Sequence, residues 1–134
     1  MKYLLDTNVL SDFARGDRSV MARLRQEAPS QLAVSVITEM EVEYGLARNP
    51  ALAPRIRETM QLLLLTISVL PFEREDARVA AQLRATLNSQ GTPIGAYDVL
   101  LAASALRRGL KLVTHNAREF ARISGLSLDD WHTQ

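Results

Sequence analysis

The chain has 134 residues, 47% of them apolar and 23% charged, with a net charge of +1, which suits one soluble domain with one core and does not by itself announce a nucleic-acid binder. No run of about 18 apolar residues occurs, which excludes a membrane span, and the opening Met1-Lys2-Tyr3-Leu4-Leu5-Asp6 meets an acid too early for a secretory signal, so a cytoplasmic location is expected. With no cysteine and only two histidines, His115 and His132, thiolate and HExxH zinc sites are excluded, and any metal is expected on oxygen ligands, as Mg²⁺ or Mn²⁺.

Residues 2–6 read as a buried strand ending in Asp6, followed at once by Thr7 and Asn8. Val9, Leu10 and Phe13 follow at helical spacing, and Gly16 ends that short helix. Ser19 can cap a second helix, which stops before Pro29. Leu32 to Val36 is β-branched and apolar, hence a second strand, and Thr38 opens a helix to about Arg48. A helix over about 51–65, with Pro54 in its first turn, leads to a third strand at Ile67–Leu70. Apolar residues at Ala77, Ala80, Ala81, Leu83 and Leu87 predict a long amphipathic helix from Glu73 to Gln90. The loop Ser89–Pro93 precedes a helix from Gly95 to Arg108, closed by Gly109. Leu110–Thr114 is a fourth strand, 117–121 a short helix, and 125–129 a last edge strand, with Trp131 packing near the C-terminus. Strands alternating with helices predict an α/β fold: a parallel sheet with right-handed crossovers, covered on both faces.

Ligands bind open α/β sheets at the carboxyl ends of the strands, and Asp6 sits at such an end. On its own stretch it reads first as a helix cap. On the third helix, Ile37, Met40, Tyr44 and Ala47 fall within ~80° of one another and form the expected buried stripe. Glu41 lies at its margin, where a carboxylate needs either a metal or one of the many arginines, fourteen against two lysines. Asp98 shares the apolar face of its helix with Leu101, Ala102 and Ala105, while Ser104, Arg107 and Arg108 mark the solvent side. An acid in a first turn also complements the helix dipole. Asn116 and Glu119, after the fourth strand, have the spacing of a capping box at the same sheet edge. Each acid has a structural reading, but like charges brought to one edge are costly unless a cation neutralises them.

Four motifs, in order, resemble the PIN-domain ribonucleases, specifically the VapC-type toxins of bacterial toxin–antitoxin pairs. They are Leu4-Leu5-Asp6-Thr7-Asn8; Ser35 to Gly45 with Glu41; Pro93-Ile94-Gly95-Ala96-Tyr97-Asp98 with Ala102-Ala103; and Leu112 to Phe120, then Gly125-Leu126 and Asp130-Trp131. The resemblance implies a three-layer α/β/α sandwich with a mainly parallel sheet of four to five strands, a single PIN domain over 1–134. It also implies a Mg²⁺- or Mn²⁺-dependent endoribonuclease, with tRNA one candidate substrate. Asp6, Glu41 and Asp98 would hold the metal, directly or through water, and Thr7 and Thr114 would orient ligands from behind. Many relatives carry Asp where this chain has Asn116, so Asn116 and Glu119 compete for the fourth position. Arg118 and Arg122 are the basic residues expected nearest the RNA phosphates, or else solvated surface. A VapB-type antitoxin, a homodimer and a toxin–antitoxin hetero-oligomer are the implied assemblies. The alternative is a non-catalytic RNA-binding module that keeps the fold. A haloacid-dehalogenase-like enzyme would want a second Asp where Asn8 stands.

Overall fold

Apolar three- and four-residue runs, each released by a small or polar residue, become the strands. In a computed structural model, which describes residues 1–132, these are β1 (Tyr3–Leu5), β2 (Leu32–Ser35), β3 (Ser68–Leu70), β4 (Lys111–Val113) and β5 (Leu128–Asp129). They form one sheet, order β3-β2-β1-β4-β5, and every pairing is parallel. Between them run α1 (Thr7–Ala14), α2 (Arg18–Gln26), α3 (Val36–Arg48), α4 (Pro54–Thr66), α5 (Arg74–Ser89), α6 (Ala96–Arg108) and the short α7 (Ala117–Phe120). The predicted architecture holds.

Side chains alternate across a strand, so each strand feeds two cores. Leu5, Val34 and Val113 face a core built with α1 to α4 and Trp131. Leu4, Ala33 and Leu112 face the other, built with Ala80 and Leu87 of α5 and Val99, Ala102 and Ala103 of α6. Tyr3 meets Trp131 edge-on, with ring centroids 5.2 Å apart, and so secures the chain's return to the sheet.

Several local expectations are corrected. Asp17, not Ser19, caps α2, accepting from Val20 N, while the Ser19 hydroxyl donates to the Trp131 carbonyl. On α3 the buried residues are Thr38, Val42 and Leu46. Val36, Met40 and Tyr44 are exposed instead, so the supposed buried stripe is an open strip. Ser104 is buried, not on the solvent side, because α6 is enclosed over Leu101–Ala105.

Asp76, fully buried at the start of α5, accepts from Arg107 Nε at 2.6 Å and from the Glu73 backbone N–H at 2.7 Å. Arg108 lies 3.4 Å away. Burial pushes its carboxyl up, but the Arg107 and Glu73 hydrogen bonds and the two guanidinium charges outweigh that and hold it below the usual range. Its stabilisation is therefore present above the unfolded pKa and lost as pH falls through the folded one. Asp76→Ala is expected to cost about 3 kcal/mol at neutral pH, because it removes the capping box and the shared anion of two arginines. Urea denaturation checks this; a loss below about 1 kcal/mol would contradict it.

Candidate active site

The chain runs outward from β1 to β2 and β3 on one side and to β4 and β5 on the other, so the sheet's topological switch lies between β1 and β4. Asp6 leaves β1 at that crevice. Its backbone N–H still bonds Val113 O of β4, at 3.0 Å, which fixes the position of its Cα. It then caps α1, with Oδ1 accepting from Thr7 N at 2.7 Å. Its other oxygen accepts from the hydroxyl of Thr114, just past β4, at 2.9 Å. The cap and the crevice carboxylate are thus one residue with two oxygens. Thr114 is fully buried, and its hydroxyl oxygen also accepts from Asn116 N at 3.0 Å.

Glu41 reaches the same place from α3, its Oε1 accepting from the Thr7 hydroxyl at 3.1 Å. Asp98 enters from the first turn of α6. Gly95 makes room for it: a Cβ there would stand 3.2 Å from Asp98 Oδ2. That role was missed in the sequence, although a glycine three residues before an acid at a helix start was the available signal.

Electrostatics show which acids converge. Asp98 is pushed up to about 6, first by burial and then by the charges of Asp6, Glu119 and Glu41. Burial also raises Glu41, against its Thr7 hydrogen bond, with Asp6 adding to the rise. Asp6 is raised by burial despite its two hydrogen bonds. Among the described residues no arginine or lysine pairs with Asp6, Glu41 or Asp98, so the salt-bridge reading of Glu41 fails. Arg23, Arg78, Arg107 and Arg108 pair with other acids instead.

The turn after β4 departs from expectation. Asn116 makes no side-chain cap bond to α7. Instead its Nδ2 donates to Glu119 Oε2 at 2.9 Å, so the two face each other and no capping box forms. Arg122 donates to the Pro93 carbonyl at 3.0 Å, tying down the loop that leads to Asp98. Arg118 is exposed.

The donor set suits a hard divalent cation: oxygen ligands, uncompensated negative charge and a crevice of fixed backbone. Within the described residues, the group whose ligand atoms all lie within 4.8 Å of one another is His115–Asp130–His132, not the acids. The carboxylates stand further apart, a spacing compatible with Mg²⁺, which keeps several of its waters.

Gly95→Ala is expected to lower any activity of this site about tenfold by crowding Asp98, since small misplacements of a ligating group are costly. Stability should hold or rise slightly, because the backbone there, φ −56° and ψ 147°, is open to any residue. Kinetics alongside a thermal melt check both; unchanged kinetics would contradict the role given to Gly95.

A family model described as PIN domain matches residues 3–126. The tRNA(fMet)-specific endonuclease VapC of Salmonella typhimurium is 35% identical over 132 residues, covering 98% of each chain. Among solved structures, DNA-bound VapBC from Salmonella typhimurium superposes with a TM-score of 0.87 at 35% identity, covering 98% of both chains. VapBC2 from Rickettsia felis, bound to a promoter DNA fragment, gives 0.87 at 28% identity over 98% of this chain and 99% of that one.

Proposed function

The chain belongs to the PIN-domain family, in its VapC group, and from that premise we propose that it is the toxin of a toxin–antitoxin pair: a metal-dependent endoribonuclease, its residues 1–134 one PIN domain. The observation that carries this reading is that Asp6 and Glu41, joined through Thr7, and Asp98 come to one sheet edge with no basic partner among the described residues. The Asp98 carboxyl is raised in keeping with this, by burial first and then by Asp6, Glu119 and Glu41. Asp6, Glu41 and Asp98 would hold Mg²⁺ or Mn²⁺, directly or through water. When bound, the ion supplies an acidified water and charge stabilisation for a phosphodiester under in-line attack. The chain's own part is positional. Thr114 and Thr7 fix the rotamers of Asp6 and Glu41 through the bonds they make. Glu119 supplies the fourth charge, with the Asn116 amide holding it in place. Arg118 is the free guanidinium beside this edge and would contact RNA phosphate; Arg122 is already occupied with Pro93.

The partner is a VapB-type antitoxin, as in the VapBC complexes the chain resembles. The strip Val36–Met40–Tyr44 on α3, on the same helix as Glu41, is a fitting seat for it, since these apolar side chains are exposed among the described residues. Bound there, it would hold the toxin inactive by mass action. Homodimerisation and a toxin–antitoxin hetero-oligomer follow the same pattern. No described helix is long and apolar enough to cross a membrane, and a cytoplasmic location is proposed.

The test is purified protein incubated with tRNA, with Mg²⁺ and then with EDTA. Cleavage that stops on chelation is expected. Cleavage indifferent to EDTA overturns the mechanism, and expression toxicity that survives Asp6→Ala would favour the non-catalytic alternative.

A further inference from the structure

A second constellation lies beside the acids, where the chain returns to the sheet. His115 follows β4 in the turn before Asn116, and Asp130 and His132 follow β5. One ligand atom from each of the three lies within 4.8 Å of the others. The Asp130 carboxylate bridges the two Nδ1 atoms at the edge of the rings: Oδ2 is 3.1 Å from His115 Nδ1, and Oδ1 is 3.1 Å from His132 Nδ1. Around a tetrahedral Zn²⁺, with ligands at about 2.0–2.1 Å, neighbouring ligand atoms stand roughly 3.3–3.4 Å apart. The two carboxylate–imidazole spacings differ from that by only a few tenths of an ångström, and the third spacing is within 4.8 Å.

Asp12 of α1 adds an independent observation. Its Oδ2 stands 2.6 Å from His132 Nε2. A carboxylate behind an imidazole keeps the proton on the rear nitrogen and turns the other lone pair forward, the arrangement found behind ligating histidines. Here the forward nitrogen is Nδ1, which in the metal-free protein donates to Asp130 and gives up that proton when a cation takes its place. His132 is buried at 8% exposure, so the ring is held there. An ion pair between His132 and the two acids would be complete without His115. Yet His115 is the ring that closes the set on its outer side, with 60% of its side chain exposed, so the site opens to solvent. The ring centroids are 4.2 Å apart and the planes are tilted by 33°, so the two imidazoles pack side by side.

We propose that His115, Asp130 and His132 form a binding site for a transition-metal cation of the Zn²⁺ class, with Asp12 as the residue that orients His132. Two imidazoles and a carboxylate favour Zn²⁺, Co²⁺ or Ni²⁺ over Mg²⁺. A bound ion would tie the β4–α7 turn, which carries Asn116, to the C-terminal segment and, through Asp12, to α1. This site does not depend on the ribonuclease reading.

The experiment is a Co²⁺ titration of the full chain carrying Asp6→Asn and Asp98→Asn, so that the acid site does not compete. A visible absorption band of nitrogen-ligated Co²⁺ is expected, saturating at about one equivalent, displaced by Zn²⁺ and not by Mg²⁺. His115→Ala, at an exposed position, should weaken binding at least about tenfold, and Asp12→Asn about 10–100-fold, with unchanged circular dichroism. No band in the parent, or equal Co²⁺ affinity after His115→Ala, overturns the site.

Discussion

Asp98→Asn is expected to abolish RNA cleavage and at the same time to raise the melting temperature of the metal-free protein. If Asp98 holds a catalytic ion as proposed, its loss removes several kcal/mol of transition-state stabilisation, about a 10³-fold fall in rate. The stability gain comes from the same charge. In the folded chain Asp98 titrates at about 6, raised by burial and by Asp6, Glu119 and Glu41, whereas an unfolded carboxyl titrates near 3.9. Between those values the folded state binds more protons, so stability falls as pH rises through the window. Above it the penalty is complete; below it the penalty is absent. The full shift corresponds to about 3 kcal/mol, and because Asp98 is only half-buried, screening reduces this to about 1–2 kcal/mol. Asn removes it, so the variant melts about 3–8 °C higher at pH 7.5 and equal to wild type near pH 4. Mg²⁺ should raise the wild-type melting temperature and not the variant's. Scanning calorimetry at the two pH values checks the sign; a variant less stable at neutral pH would contradict it.

Thr114→Val is expected to give the opposite stability signature with a similar direction in activity. The Thr114 hydroxyl donates to Asp6 and accepts from Asn116 N, and the residue has no solvent exposure. Val fills the same volume but leaves a buried carboxylate short of a donor and strands an amide N–H. The expected cost is about 1–3 kcal/mol. Cleavage should fall about 10–100-fold, the usual effect of losing a residue that orients a ligand. Thr114→Ser restores the hydroxyl and should recover most of both losses. Activity unaffected by Val would mean that Asp6 needs no support from β4.

Much of this was legible in the sequence, for reasons tied to particular residues. Leu4-Leu5-Asp6 and Leu112-Val113-Thr114 announce strands leaving through polar residues, and a parallel βα pattern then brings those ends to one edge. Asp98 showed itself because it shares a helix face with Leu101 and Ala102, both buried as expected. Glu41 was found by a less sound route. The stripe it was thought to border, Met40 and Tyr44, is exposed; the carboxylate turns inward because Thr38, Val42 and Leu46 are the packed side. An exposed apolar strip looks, by periodicity alone, like a buried one.

What stayed hidden depends on contacts distant in sequence. Nothing near Asp76 marks a fully buried acid, since its arginines lie 31 and 32 residues on. Two scattered histidines appeared to leave only oxygen ligands for any metal, yet the fold sets both against Asp130. Asn116 and Glu119 have a capping spacing, and they bond side chain to side chain instead.

The most direct test is Mn²⁺ binding followed by electron paramagnetic resonance, with Mn²⁺ standing in for Mg²⁺ at oxygen ligands. Wild-type protein is expected to bind the ion, and Asp6→Asn and Asp98→Asn each to lose most of that affinity while keeping the fold. Equal Mn²⁺ binding by wild type and both variants would contradict the claim that the β1–β4 crevice is a metal site.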